Sequence, residues 1–201
     1  MRVMNFSLSK APKWNVKDLP KLELADVVLK HHYKIASYLM RLGMHSYWNH
    51  AAIVIVAEAT DCMIVENTAA GVVLNTLVAD VNAHIAIYRH EGLSDEQRLK
   101  IAGEAKALVG KNNDWHIGQR VARSLGWESP KVLWDLWMDK EFVPIPHVID
   151  EYFLCSEIVQ ESYFRAGVEI INDEHLLLPK TIVLLSRQGK VFTRIWGQDK
   201  I

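Results

Sequence analysis

The sequence has almost no net charge: 23 lysines and arginines face 24 acids in 201 residues, a formal balance of -1. No basic field exists to hold a phosphate backbone, so nucleic acid is not an expected partner. Cysteine is scarce too. Cys62 and Cys155 cannot build a disulfide framework and fit a reducing compartment. Long hydrophobic runs are missing: the longest, 51–57, is strand-sized, far short of the roughly 18 apolar residues of a membrane span. The first ten residues lack an apolar core followed by small cleavage-site residues, so no signal peptide is expected. A Gly-rich phosphate loop is absent, as is a regular alternation of strand and helix, which excludes dehydrogenase and kinase readings. There is no repeat, low-complexity tract or Pro/Gly/Ser-rich linker. Together these absences point to a cytoplasmic, globular chain with no transmembrane segment.

Hydrophobic residues make up 50% of the chain and charged residues 23%, enough for a core that needs no disulfide or metal staple. Residues 1–24, with Pro12, Trp14 and Pro20, read as an irregular arm, and 25–201 as one domain. Asp26-Val27-Val28-Leu29 is a short strand, and Ile35, Leu39 and Leu42 have helical spacing. His50 to Val56 is β-branched and apolar on both faces, the pattern of a buried central strand. Glu58 to Asp61 turns the chain, and Cys62 to Glu66 is the returning strand. Gly71 to Leu74 and Ala83 to Arg89 add two more.

Helices follow. Ser94 with Gln97 forms a capping box, and Gly110 is a C-terminal stop. Between them Leu99, Ala102, Ala105, Leu108 and Val109 trace one face. Further helices are expected over His116 to Leu125, after Pro130, and from Asp150 to Gly167. Thr181 to Leu185 and Val191 to Trp196 read as a closing hairpin around Gln188-Gly189. Strands before residue 90 and helices after it predict an α+β fold, an antiparallel sheet packed against helices.

The helix ending at Gly167 is the most informative element. Cys155, Ile158, Val159, Ser162, Tyr163 and Ala166 share one face, with Cys155 near the start. Orphan amides and the positive dipole end there can turn a thiol into a thiolate. From position alone a small buried hydrophobe is the commoner role for a cysteine. His50 opens the most buried strand, where both ring nitrogens need partners, from the backbone or from a reaction centre. Strand parity ties it to Glu66. Pairing Val56 with Cys62 makes His50 and Glu66 diagonal neighbours, and pairing His50 with Glu66 makes them direct ones. Either register puts both on one face, where Glu66 can orient the imidazole or simply end the strand. His31-His32, His45 and His50 do not complete a ligand set, so neither metal nor cofactor is expected.

Trp48-Asn49-His50-Ala51-Ala52-Ile53-Val54, then Val65-Glu66-Asn67, then Tyr152 to Val159, resemble the circularly permuted branch of the NlpC-type papain-like superfamily. The YaeF/YiiX-like proteins are the near relatives, and lecithin–retinol acyltransferases are more distant. Asp26-Val27-Val28, Tyr88-Arg89 and Ala166-Gly167 belong to the same resemblance, which covers about residues 25 to 185. The order His, Glu, Cys is the reverse of ordinary papain-like enzymes, as permutation implies. Carried over, Cys155 is the nucleophile, His50 the base and Glu66 the group orienting it. Tyr47, Trp48 and Asn49, flanking His50, are expected to line the substrate cleft. One departure is Pro179-Lys180-Thr181, where relatives often carry Pro-x-Asp.

The resemblance implies a cysteine hydrolase of amidase or peptidase type, acting through an acyl-enzyme on a small peptide, amide or acyl substrate. An acyltransferase of the same fold and a non-catalytic peptide- or acyl-binding module are the alternatives. Oligomeric state is not legible.

Overall fold

A computed structural model describes residues 14, 18–32, 46–58, 62–77, 83–113, 152–171 and 177–197. The helices expected around residues 35–42, at 116–125 and after Pro130 lie outside these residues, as does the turn at 59–61. Among the described residues three helices accompany a six-stranded antiparallel sheet, so the fold is α+β as expected. Its strands are β1 (Val27–His31), β2 (His50–Ala57), β3 (Cys62–Thr68), β4 (Gly71–Thr76), β5 (His84–His90) and a final strand, Phe192–Gly197. The spatial order is β4, β3, β2, β1, β5, final strand. β2 is thus central, as its β-branched run requires. A two-residue parallel pairing joins β6 (Asn112–Asn113) to β7 (Tyr152–Phe153), which makes the final strand β8.

The period of two sorts the sheet's side chains into two cores. Val27, Leu29, Ala51, Ile53, Val65, Ala86 and Tyr88 pack with the helices. Val28, Ala52, Val54, Cys62, Ile64, Ile85 and Ile87 pack on the other face with Trp14 and Leu22 from the arm.

The capping box at Ser94 and Gln97 opens α1 (Asp95–Ala107) as expected. Its inner face differs from expectation. Arg98, Ile101, Ala102 and Ala105 are buried with Leu108, whereas Leu99 is 65% exposed and Val109 40%. Arg98 turns inward because its guanidinium reaches the Leu24 and His90 carbonyls. The helix expected from Asp150 starts later. β7 occupies 152–153, and α2 runs Cys155–Arg165, with Gly167 at φ +81 just past its end. The closing hairpin is half right. Thr181 to Leu185 lies inside α3 (Pro179–Arg187), which starts on Pro179, and only β8 is a strand, paired with β5. Proline at a first helical position is preorganised for a helix and loses no needed N–H.

Gly71 sits at φ +99 where β3 turns into β4, and a Cβ there would lie 2.5 Å from the Lys111 carbonyl oxygen. That oxygen accepts the Val72 N–H, so it cannot withdraw freely. Gly71→Ala is expected to cost about 1–3 kcal/mol in urea unfolding. A cost below about 0.5 kcal/mol would show that the turn relaxes.

Among the described residues no helix is long and apolar enough to cross a membrane.

Candidate active site

Cys155 is the first residue of α2, so the dipole and the orphan amides bear on the thiol more directly than a start at Asp150 would allow. The N-cap, Leu154, has no side-chain acceptor. Its own N–H instead donates to Glu157 Oε2 at 2.6 Å, which fixes the helix entry. The Cys155 thiol is half-buried, and the Cys155 sulfur accepts the N–H groups of Ala51, on β2, and Ser156. His50, the first residue of the central strand, also hydrogen-bonds Cys155, so the start of β2 meets the start of α2.

Lys30, His50, Ala52 and Glu66 share one face of the sheet. Lys30 lies directly opposite His50 on β1, and Glu66 opposite Ala52 on β3. Glu66 is therefore a diagonal neighbour of His50, the first of the two arrangements expected. The register near the turn differs, since Val56 pairs with Met63 and Ala57 with Cys62. An irregularity between Val54 and Val56 absorbs the extra residue, so the slip never reaches the His50 end.

His50 Nε2 lies 2.8 Å from Glu66 Oε2, which leaves Nδ1 as the ring nitrogen that meets Cys155. Glu66 has two further partners. Lys30 Nζ donates to the same Oε2 at 2.5 Å, and Asn75 Nδ2 donates to Oε1 at 2.9 Å. Tyr47, Trp48 and Asn49 fare differently. Trp48 is fully buried, stacked edge-on against Tyr47. Asn49 spends its amide on the His32 backbone, accepting the N–H at 3.1 Å and donating to the carbonyl at 2.9 Å. These two pack and brace the strand entry. Tyr47 is part-buried, stacked on His31 and hydrogen-bonded to His84.

Lys30 and Asn75 were not singled out in the sequence. Lysine in the run Val27-Val28-Leu29-Lys30-His31 is a charge inside a buried strand, and that was the available signal. Asn75 offers none without the β3–β4 register.

The electrostatics follow the contacts. Burial would lower the His50 pKa, but the Cys155 charge and hydrogen bond, then Glu66, outweigh it and push it up to about 9; Lys30 pulls the other way. Burial would raise the Cys155 thiol, yet the His50 charge and hydrogen bond, with the Ala51 and Ser156 amides, bring it below its ordinary value. Burial also works against ionised Glu66, but His50 and Lys30 hold it well below the usual carboxylate range. Cys62 is the contrast: burial, then the Asp26 charge, push its thiol up to about 11. The two thiols are thus displaced in opposite directions, Cys155 downward and Cys62 upward.

Residues 22–120 match the model of a family described as the permuted papain-like amidase enzymes, YaeF/YiiX, C92 family. The chain also shares the fold of a crystal structure described as the metalloprotein yiiX from Escherichia coli O157:H7. The TM-score is 0.56 at 19% identity, over 89% of this chain and 98% of that one. Residues 22–120 thus resemble the YaeF/YiiX amidases, and the described fold is that of the yiiX structure. The family match, to amidases, supports a cysteine hydrolase at that coarse level. It contains His50 and Glu66 and stops before Cys155, so Cys155 rests on the geometry. No curated protein matches the chain. Among the described residues no three His, Cys, Asp or Glu side chains converge as metal ligands; the Glu66 carboxylate, in particular, is engaged by Lys30, His50 and Asn75.

Proposed function

We propose that the protein is a cysteine hydrolase of amidase or peptidase type, with Cys155 as nucleophile, His50 as general base and acid, and Glu66 holding the ring. The observation that carries this is the unbroken chain of contacts from Cys155 through His50 to Glu66 at the start of α2. The substrate class is a small peptide or another amide- or ester-linked acyl compound.

In the resting pair the proton sits on His50 and the negative charge on Cys155 Sγ. The sulfur attacks the carbonyl carbon, and the charge moves to the carbonyl oxygen. The Cys155 N–H, in the first helical turn and without an intrahelical acceptor, is positioned to stabilise that oxyanion. Collapse of the adduct breaks the acyl–nitrogen or acyl–oxygen bond, and His50 gives its proton to the leaving group. Neutral His50 then takes a proton from water as the water attacks the thioester. Collapse of that second adduct releases the carboxylic acid and restores the ion pair.

The test is the rate of Cys155 alkylation by iodoacetamide against pH, with Cys62 as internal reference. Cys155 is expected to reach a plateau well below the ordinary thiol range, while Cys62 stays unreactive until about pH 11 or until unfolding. Turnover should follow a bell. It rises with formation of the thiolate and falls as His50 loses its proton near pH 9, because the leaving group then has no acid. A Cys155 that titrates as an ordinary thiol would overturn the proposal.

A further inference from the structure

We infer that Lys30 is a positioning residue for the Cys155–His50 pair, neutralising Glu66 so that the thiolate forms at low pH. The inference rests on the catalytic reading above and adds to it a fourth residue. Its first support is geometric. Lys30 is fully buried, stands directly across from His50 on the neighbouring strand, and donates to the same carboxylate oxygen that His50 contacts. An ammonium is costly to bury, and a buried lysine usually has a specific charged partner. Orienting the imidazole needs only an acceptor at Nε2, which Glu66 provides without Lys30.

The charge balance says what the lysine adds. Among the described residues, the groups around the His50 ring are Lys30 from β1, Glu66 from β3 and Cys155 from α2. The His32 ring also lies near, with centroids 5.6 Å apart, and Asn75 from β4 is neutral. Glu157, in the first turn of α2, is held by the Leu154 N–H. Glu66 alone would favour the imidazolium but oppose a second negative charge on Cys155. With Lys30 bound to it, the carboxylate keeps its hydrogen bond to His50 while the ammonium opposes its field at the sulfur. Removing only Lys30 leaves a net negative charge beside the pair. That stabilises protonated His50, destabilises the thiolate, and moves both proton losses to higher pH.

The decisive experiment follows Cys155 alkylation against pH in the wild type, Lys30→Met, Glu66→Gln and the double variant, with folding of each checked by circular dichroism. Lys30→Met is expected to shift the acid limb upward by about one pH unit or more. Glu66→Gln, which leaves the lysine charge alone, should shift it downward. The double variant, which removes both charges, should return close to the wild-type limb. A merely structural lysine would change stability and leave the limb in place. If Lys30→Met does not fold, Glu66→Gln compared with the double variant reads the same charge, since burying a neutral pair leaves no lone ion. A wild type without a low-pH plateau would overturn the catalytic reading and this inference together. A wild type with the plateau, and a limb indifferent to Lys30 in both comparisons, would overturn the inference alone.

Discussion

His50→Ala is expected to lower turnover by about 10²–10⁴-fold and to remove the low-pH plateau of Cys155 alkylation. Two losses add in that variant. The thiol loses the His50 charge and hydrogen bond, the influences that bring it below its ordinary value against burial. An ordinary thiol is only a few per cent thiolate at neutral pH, so nucleophile is lost by one to two orders of magnitude. The leaving group also loses its acid and the attacking water its base. The Ala51 and Ser156 amides still point at the sulfur, so some reactivity remains above that of a thiol held only by burial. Glu66→Gln should be milder, because an amide oxygen still accepts from Nε2 but no longer stabilises the cation. Cys155→Ser separates chemistry from binding. A hydrolase loses its turnover with this change, whereas a binding module keeps its ligand. Full turnover in His50→Ala would mean that His50 is a core histidine satisfied by Glu66 and nothing more.

The sequence carried the Cys155, His50 and Glu66 constellation because each member sits on a strongly patterned element. The run from His50 to Val56 could only be a buried strand, and a period of two then ties His50 to Glu66 in either register. The bulge near Ile55 was not legible, since one extra residue on a strand leaves no mark in composition. The packing of Trp48 and Asn49 is not legible for another reason. Adjacency in sequence says little about facing, and both side chains are consumed in building the entry to β2, one by burial and one by the His32 backbone. Thr181 to Leu185 is β-branched and apolar, which reads as a strand until Pro179 and its packing make it the inner face of a helix. Lys30 was visible only as an oddity. Its meaning depends on the β1–β2 pairing, a long-range fact that no local pattern contains.

Arg89→Ala is expected to cost about 3–5 kcal/mol of stability. Asp26, at the entry to β1, is fully buried, and Arg89 on β5 meets it with two hydrogen bonds, Nε to Oδ1 at 2.9 Å and Nη2 to Oδ2 at 2.7 Å. The same guanidinium reaches the Lys21 carbonyl and the Glu23 carboxylate, so one side chain ties the arm to two strands. The arm must be tied there because Ala25, at φ +66, turns the chain sharply into β1, with its carbonyl taken by the Tyr163 hydroxyl of α2 at 2.7 Å. Without Arg89 the buried carboxylate keeps only the Glu23 N–H at 2.8 Å and the Arg98 charge against its burial. Burial already raises the Asp26 pKa, with Arg89 opposing the rise, so the variant should raise it further. The folded state then binds a proton that the unfolded chain releases at its ordinary value. Stability of the variant is therefore present at low pH and lost as pH climbs through the folded pKa. Urea unfolding at pH 5 and pH 8 should show the smaller deficit at pH 5, and Asp26→Asn combined with Arg89→Met should recover much of it, since no lone charge remains. A deficit below about 1 kcal/mol, or one indifferent to pH, would mean that the arm relaxes and admits water to Asp26. The bend at Ala25 would then be held by the Tyr163 hydroxyl and by the Ala25 N–H bond to the Val54 carbonyl.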